Sequence, residues 1–268
     1  MTDKINTGFI GVGDQGGPIA RRMVDAGFPL TIWARRAESF DPYRDTAATF
    51  AGSIAELGAK VDHVGICVLD DTGVRAVCAE LIPAMRPGAL VAIHSTVHPD
   101  TCIEMADLAA KHGVALIDAP VSGGRPGAEA GTLAVMVGGA EEAFARARPV
   151  FESFGTTIVH LGDVGTGQMA KLINNSLMAA NLALAVHALN AGAVLGIDRQ
   201  ALIDLIRVSS GRSMAFDVAA RMTSPSAFHH GAMLLAKDIR LLGEVMGNDP
   251  AAMAFDQTAS PFLTLAQT

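Results

Sequence analysis

The chain has 268 residues, of which 50% are hydrophobic and 18% charged, with a formal net charge of −7. That length and composition suffice for one large or two ordinary domains with buried cores. The negative charge argues against a nucleic-acid or anionic-membrane surface, which would need clustered Lys and Arg. No apolar run reaches membrane-spanning length without interruption, so no membrane partner is expected.

The N-terminal residues and the cysteines predict an untargeted, cytoplasmic protein without a metal site. The start, MTDKINTGFIGVG, lacks the basic, apolar and cleavage regions of a secretory leader. Cys67, Cys78 and Cys102 are scattered without C-x-x-C spacing, and the first two lie in apolar runs. We therefore expect inert thiols in a reducing compartment and no bound metal. The high apolar content also predicts a subunit interface, hence a homo-oligomer (a dimer or tetramer).

The first part of the chain alternates short β-rich runs with helical segments, which predicts an α/β fold. The candidate strands are TGFIGVG, FPLTIWA, HVGICVL, ALVAIHS, VALID, LAVMVGG and TTIVH. Helical patterns lie between most of them, for example over Gly16 to Ala26 and Pro99 to His112. Strands that alternate with helices form βαβ units and a largely parallel sheet. The runs are apolar throughout, as expected when helices cover both faces of the sheet.

The composition of the chain changes near Asp163 to Gly167, where we place a domain boundary. Gln168 to Leu195 is one apolar segment rich in Ala, Leu, Met and Asn that contains no proline. This pattern predicts a long helix, and helices dominate the remainder of the chain. The expected domains are residues 1–163, of the α/β type, and residues 164–268, all helical and joined to the first by the long helix.

Gly11, Gly13 and Gly16 form a G-x-G-x-x-G that follows a strand and opens a helix. Such glycines permit a tight turn and the close approach of a pyrophosphate, which then lies at the helix N-terminus. The alternative is a plain βα turn. In this context the motif predicts a Rossmann-type dinucleotide site.

The end of the second strand bears on which dinucleotide is bound. An NAD site usually has Asp or Glu there, about 20 residues after the glycines, to bind the ribose 2′-hydroxyl. Here Ala34 takes that position and Arg35 and Arg36 follow it. Two guanidinium groups favour a 2′-phosphate, hence NADP over NAD, although two solvated arginines opening a loop would give the same sequence.

GTGQMAKLINN begins the long helix with an unusual polar set. Lys171 and Asn175 are four residues apart and share a helix face, with Asn174 beside them. Burial and the helix dipole both disfavour a charged ammonium near a helix N-terminus, which suits a residue that transfers protons near neutral pH. The alternative is a lysine that reaches solvent from the helix edge.

Together, GFIGVGDQGGPIARRM, DAPVSGGRPGAEAGTLAVMVGG, GTGQMAKLINN and AKDIRLL resemble the β-hydroxyacid dehydrogenases. That family includes 3-hydroxyisobutyrate dehydrogenases and is related to 6-phosphogluconate dehydrogenase. The resemblance covers nearly the whole chain to about Gly247. Family members usually continue beyond this point into further helices, and the end of this chain predicts a final helix that is short or absent.

The resemblance implies a role for each motif. Ser122, Gly123 and Gly124 would bind a small carboxylate-bearing substrate, together with Asn174 and Asn175, and Lys171 would be the catalytic acid or base. Asp238 would brace Lys237, which would reach the nicotinamide end of the site. The residues that we assign to the cofactor are Gly11, Val12, Gly13, Asp14, Gln15, Gly16, Arg35, Arg36, Leu69, Asp70, Thr96 and Lys237.

The resulting prediction is an NADP-dependent oxidoreductase that interconverts a small 3-hydroxy acid and its semialdehyde or oxo acid. Lys171 would exchange the hydroxyl proton while the cofactor exchanges the hydride. One alternative is an imine reductase, but such relatives generally carry Asp or Tyr in place of the lysine. Another is a non-catalytic NADP sensor, which would leave the SGG and KLINN motifs unexplained. Arg125 would meet a second anionic group of the substrate or lie in solvent.

Overall fold

A computed structural model describes residues 5–247 and 249–268 of the chain. The chain divides into two compact units, Met1–Lys171 and Leu172–Thr268. The first is of the α/β type and the second is helical, which confirms the predicted fold class. The division falls inside the long helix, and the domain boundary at 163/164 stays a prediction.

The first unit contains one sheet, to which nine strands contribute among the residues that the structure describes. The strands are β1 (Thr7–Ile10), β2 (Leu30–Trp33), β3 (Thr49–Phe50), β4 (His63–Ile66), β5 (Leu90–Ile93), β6 (Ala115–Asp118), β7 (Val121–Ser122), β8 (Leu133–Gly138) and β9 (Gly155–Gly162). Their order is β3-β2-β1-β4-β5-β6-β8-β7, and β9 pairs with β8. The first six strands are mutually parallel, whereas β8 runs antiparallel to β6 and β7.

Helices of the first unit cover both faces of this sheet. They are α1 (Gly16–Asp25), α2 (Ile54–Lys60), α3 (Asp71–Leu81), α4 (Pro99–Lys111), α5 (Gly124–Ala130) and α6 (Glu141–Phe151). Neighbouring strand residues lie in opposite core layers: Phe9 packs with Ile32 and Phe151, whereas Ile10 packs with Ile66. This double coverage explains why β1, β4 and β5 are buried at every position, Thr7 and His63 included, instead of alternating between buried and exposed residues.

β9 departs from the expectation of fully buried strands. It pairs with β8 alone, and its side chains are mostly half-buried or exposed, with Val159 44% exposed. Among the described strands, β9 is an edge strand that is paired on one side only. Its residues are not buried on both faces of the sheet, so they need not be apolar throughout.

The second unit is built from helices, and its described residues include no strand. Its helices are α7 (Thr166–Val194), which begins in the first unit, α8 (Arg199–Val208), α9 (Met214–Arg221), α10 (His229–Met246) and α11 (Pro250–Ala266). Leu182, Phe216, Ile239, Phe262 and Leu263 form much of its core.

α7 is long and apolar enough to cross a membrane by length and composition alone. Its most apolar window has a mean hydropathy of 1.5, and 39% of that window is buried. The core helix of a soluble protein meets the same criterion.

The expectation of a short or absent final helix is wrong. α11 spans 17 residues and packs on α10 through residues that include Phe262. The Asp249 side chain accepts from Ala251 N at 2.8 Å, and Pro250 occupies the first turn, where its missing N–H is not needed. This cap and the apolar face sustain the helix through Pro261, which lies inside it.

Candidate active site

The turn between β1 and α1 gives each of its three glycines a different task. Gly11 has a φ of +94°, and a Cβ there would collide with the carbonyl of Cys67. Gly13 has nothing within 4 Å of its Cβ position, so its backbone is open to a ligand. A Cβ on Gly16 would collide with Gly11 O and approach Phe9, which shows close packing of helix on strand. These are the tasks of tight turn, phosphate approach and packing that a dinucleotide-binding turn requires.

A cavity of about 730 Å³ opens beside this turn, at the carboxyl ends of the parallel strands. It brings together seven of the residues that the sequence assigns to the cofactor: Gly11, Val12, Gly13, Arg35, Arg36, Leu69 and Asp70. It also includes residues that sequence reasoning missed, among them Trp33, Ser39, Val68, Thr72, Gly73 and Glu80. Trp33 ends β2 and Val68 follows β4, so their position just after parallel strands is the signal that could have found them.

The other residues assigned to the cofactor lie outside this cavity lining. The Asp14 carboxylate turns to Arg125, with Oδ1 at 3.1 Å from Nη1. Gln15 has a buried Nε2 for which the structure shows no hydrogen-bond partner. Thr96 is half-buried after β5, and Gly16 is buried at the start of α1.

Two features of the cavity bear on the dinucleotide that it fits. Arg35 and Arg36 are exposed at its rim, and Arg36 Nε lies 3.9 Å from Glu38 Oε1. Asp70 also caps α3, because its Oδ1 accepts from Gly73 N at 2.8 Å. Positive charge therefore lies after β2, where a carboxylate would bind the 2′-hydroxyl of NAD.

The SGG loop joins β7 to α5 and carries backbone that only glycine adopts readily. Gly123 has a φ of +129° and Gly124 a φ of +60°, and both are exposed. Ser122 is half-buried at the end of β7. The loop therefore offers a hydroxyl and bare backbone to a small ligand.

Asp118, at the end of β6, holds the N-terminus of α7. Its Oδ1 accepts from Gly165 N and its Oδ2 from Gln168 N, both at 2.7 Å. Burial raises the pKa of Asp118 to about 6, although the backbone N–H donors act in the opposite direction. Sequence reasoning assigned no role to this carboxylate, because its partners lie 47 and 50 residues away.

Lys171 lies within the first turns of α7, close to this cap. Gln168, less than a turn before it, accepts from Val97 N at 3.2 Å and donates to Ser95 O at 2.8 Å, so the start of the helix is fixed to the segment after β5. Lys171 is only 8% exposed. The cap and this brace position a buried lysine at the end of the first unit.

In the second unit, α7 and α10 share a buried polar network. Asn175 Nδ2 donates to Asp238 Oδ2 at 2.6 Å, and Lys237 Nζ lies 3.2 Å from Asp238 Oδ1. Asn174 is exposed and donates to Asn175 Oδ1 at 3.1 Å. Asp238 is 3% exposed, and its two carboxylate oxygens contact Lys237 and Asn175.

Within the described ranges, no group of three or more His, Cys, Asp or Glu side chains could hold a metal ion. The cysteines are unpaired thiols, and burial raises the pKa of Cys67 and of Cys78 to about 12.

The strand order, the glycine turn and the cavity define a nicotinamide dinucleotide-binding protein of the Rossmann type. Residues 6–162 match the NAD-binding domain of 6-phosphogluconate dehydrogenase. Residues 165–267 match the NAD-binding domain of NADP-dependent 3-hydroxyisobutyrate dehydrogenase. The chain belongs to the β-hydroxyacid dehydrogenase family and is an oxidoreductase that acts on a CH–OH group.

Relatives and solved structures agree with this assignment. The chain is 34% identical over 255 residues to mitochondrial 3-hydroxyisobutyrate dehydrogenase of Bos taurus, covering 90% of this chain and 75% of that protein. It is 35% identical to an NAD-dependent L-serine dehydrogenase of Pseudomonas aeruginosa, covering 88% of this chain and 83% of that protein. A structure of Mycobacterium tuberculosis 3-hydroxyisobutyrate dehydrogenase with L-serine superposes with a TM-score of 0.86 at 29% identity, covering 98% of this chain and 96% of that chain.

Proposed function

We propose that this chain is an NADP-dependent dehydrogenase that interconverts a small 3-hydroxy acid and its semialdehyde or oxo acid, with Lys171 as general acid and base. The observation that carries the proposal is the placement of Lys171. It is 8% exposed near the start of α7, where Asp118 accepts from Gln168 N and the Gln168 side chain donates to Ser95 O. A lysine that served only solubility would not need a buried position and a braced helix.

Separate residues bind the cofactor and the substrate in this proposal. The turn from Gly11 to Gly16 holds the pyrophosphate, with Gly13 leaving room for its approach. Ser122 and the backbone of Gly123 and Gly124 bind the substrate carboxylate. Asn174 and Asn175 bind the substrate on α7, and Asp238 fixes Asn175 by accepting from its amide.

The dinucleotide supplies or accepts the hydride when it is bound. Lys171 exchanges a proton between its Nζ and the substrate oxygen, removing it during oxidation and returning it during reduction. In this proposal Lys237 serves the nicotinamide, and Asp238, whose Oδ1 lies 3.2 Å from Lys237 Nζ, orients it.

The preference for NADP rests on Arg35 and Arg36, because guanidinium groups bind a 2′-phosphate well and Ala34 offers no acceptor for a 2′-hydroxyl. Related proteins include both an NADP-dependent 3-hydroxyisobutyrate dehydrogenase and an NAD-dependent L-serine dehydrogenase, so the argument for NADP rests on this chain's own residues. Replacement of either arginine by alanine should raise KM for NADPH by about tenfold or more while changing KM for NADH little.

We further propose a cytoplasmic homo-oligomer, a dimer or a tetramer. Large apolar side chains are exposed on the second unit, with Val194 87%, Leu195 75% and Val208 83% exposed. Exposed apolar surface of this kind marks interfaces between subunits. Light scattering of the purified protein should give a mass of at least two chains, and a monomer would contradict the proposal.

The test of the activity follows nicotinamide absorbance with NADPH and NADH against 3-hydroxyisobutyrate, L-serine and their semialdehydes. Lys171→Ala should lower kcat by at least about 100-fold, because the proton transfer loses its acid and base. Lys60→Ala removes an exposed lysine on α2 and should leave turnover unchanged.

Other outcomes would identify the alternatives. Turnover of a cyclic imine in place of every semialdehyde would indicate an imine reductase. Tight NADPH binding without turnover of any substrate, in wild type and Lys171→Ala alike, would leave a dinucleotide sensor.

A further inference from the structure

Arg125 makes two ion pairs on the surface of the first unit. Its Nη1 lies 3.1 Å from Asp14 Oδ1, and its Nε lies 2.7 Å from Glu129 Oε1, one turn further along α5. Both ion pairs are also hydrogen bonds, in which the guanidinium donates to two carboxylates. The sequence alternatives for Arg125, a contact to the substrate or free solvation, did not include this arrangement.

The first of these pairs joins two functional loops. Asp14 lies inside the glycine turn, between Gly13 and Gly16, and Arg125 directly follows the SGG loop in the first turn of α5. The two residues are 111 positions apart in the chain. Helices α1 and α5, which begin at these loops, also pack on each other. The ion pair therefore links the glycine turn to the start of the helix that follows Ser122.

The charge of Asp14 is unfavourable for the ligand that the turn should hold. A pyrophosphate brings two negative charges to the turn, and a carboxylate within that turn repels them. Arg125 neutralises this carboxylate. Because the side chains of Arg125 and Asp14 are 56% and 70% exposed, the effect is screened by water and salt and must be moderate.

We propose that Arg125 is a positioning residue that couples the two loops: it neutralises Asp14 so that the dinucleotide binds, and it keeps the SGG loop in register with the glycine turn. Glu129 fixes the guanidinium from the other side. This inference rests on the proposed function, since it assumes that the glycine turn holds the dinucleotide.

The experiment is a double-mutant cycle on cofactor affinity. Trp33 is the only tryptophan and lines the cavity, so quenching of its fluorescence by NADPH reports Kd. Arg125→Ala should raise Kd by about three- to tenfold at low salt, and by less at high salt. Asp14→Asn should tighten binding slightly, and the double variant should match Asp14→Asn within about twofold, because the arginine then has no carboxylate to neutralise.

Two further variants separate charge from structure. Arg125→Lys keeps a positive charge and should recover most of the affinity. Arg148→Ala is the matched control, because Arg148 pairs with Glu152 at 3.0 Å on α6 with the same 56% exposure, yet its partner lies outside the glycine turn. It should leave Kd unchanged. Unchanged thermal unfolding of Arg125→Ala will show that the fold is intact.

Coupling to the substrate is read from steady-state kinetics. Arg125→Ala should raise KM for the substrate while kcat changes less. The variant displaces the SGG loop that binds the substrate but leaves the proton transfer by Lys171 unaffected. Additive effects of Asp14→Asn and Arg125→Ala on Kd would overturn the inference. A rise in substrate KM with an unchanged cofactor Kd would also overturn it, since Arg125 would then contact the substrate. Failure of the wild type to bind either dinucleotide would refute the proposed function itself, and the inference with it.

Discussion

Two buried histidines should make the first unit sensitive to acid. His63 is 2% exposed and its Nε2 has no hydrogen-bond partner among the described residues, whereas His94 is 3% exposed and bonds Ala119 O through Nδ1 at 2.8 Å. Both rings lie among aromatic side chains, with His63 edge-on to Phe151 at 5.9 Å. Burial lowers the pKa of His63 to about 3 and the pKa of His94 to about 4, against an ordinary value of 6.5.

The direction of the pH dependence of stability follows from whether the folded or the unfolded state binds more protons. Below pH 6.5 the unfolded chain protonates both histidines while the folded unit keeps them neutral, so stability is complete above about pH 6.5 and is lost progressively as the pH falls towards about 3 to 4. Between about pH 7.5 and about pH 5, each histidine costs about 2 kcal/mol in the free energy of unfolding. Asp118 acts in the opposite direction, because its raised pKa of about 6 lets the folded state bind a proton first. Over the same pH interval Asp118 raises the free energy of unfolding by about 1 kcal/mol, so the net loss of stability is about 3 kcal/mol.

The decisive perturbation is His63→Phe, which keeps a ring of similar shape and removes the nitrogen that lacks a partner. Urea unfolding followed by Trp33 fluorescence reports the first unit, where Trp33 ends β2. Over the same pH interval, the loss in the variant should shrink to about 1 kcal/mol, because one of the two histidines no longer titrates. Between about pH 7.5 and about pH 9 the two proteins should show equal slopes, which is the internal control.

The reasoning would be refuted by one result. If wild type and His63→Phe lose the same free energy of unfolding between neutral and acidic pH, then His63 binds its proton equally in the folded and unfolded states. Burial would then not exclude the charged form of this ring.

Three other perturbations test the site. Gly11→Ala should destabilise the first unit by about 2 kcal/mol or more in urea unfolding, because its φ is +94° and a Cβ has no room, whereas Gly13→Ala should leave stability unchanged and raise the cofactor Kd by about tenfold; equal stabilities of both variants would contradict the assigned tasks. Asp118→Asn should lower the free energy of unfolding by about 2 kcal/mol and also lower kcat, because an amide N–H₂ would face the N–H groups that begin α7. Unfolding and turnover are measured at neutral pH, and wild-type values of both would contradict this role of Asp118. Asn175→Asp places a second carboxylate against Asp238 and should lower the thermal stability seen by circular dichroism, and its deficit relative to wild type should shrink as the pH falls and one carboxyl protonates; a deficit that stays constant in acid would exclude charge repulsion as the cause.

Periodicity predicted the frame of the fold well, since burial on both faces makes each parallel strand an apolar run. The pattern located α1, α4 and α7 to within two residues at each end. Two strands were missed, because β3 and β7 have two residues each and are too short for any period. The expectation of a short final helix came from comparison with the family pattern, whereas the start signal of α11 is local and lies in Asp249 and Pro250.

The site was predictable where its chemistry is local and hidden where it depends on long-range contact. The glycine turn and the arginines that follow β2 can each be recognised from a pattern of a few consecutive residues. The cap that Asp118 provides to α7 and the pair between Arg125 and Asp14 join residues far apart in the chain. Nothing in either segment alone indicates such a partner, because a single Asp or Arg is equally compatible with solvent.

The division of the chain between Lys171 and Leu172 has a consequence for how such proteins diversify. Every residue that lines the dinucleotide cavity belongs to the first unit, whereas Asn175 and Lys237 belong to the second. The residues that line this cavity and the SGG loop therefore precede the division, whereas part of the proposed substrate site follows it. Recombination at this point of α7 would replace the proposed substrate residues Asn174 and Asn175 while it keeps every residue that lines the dinucleotide cavity.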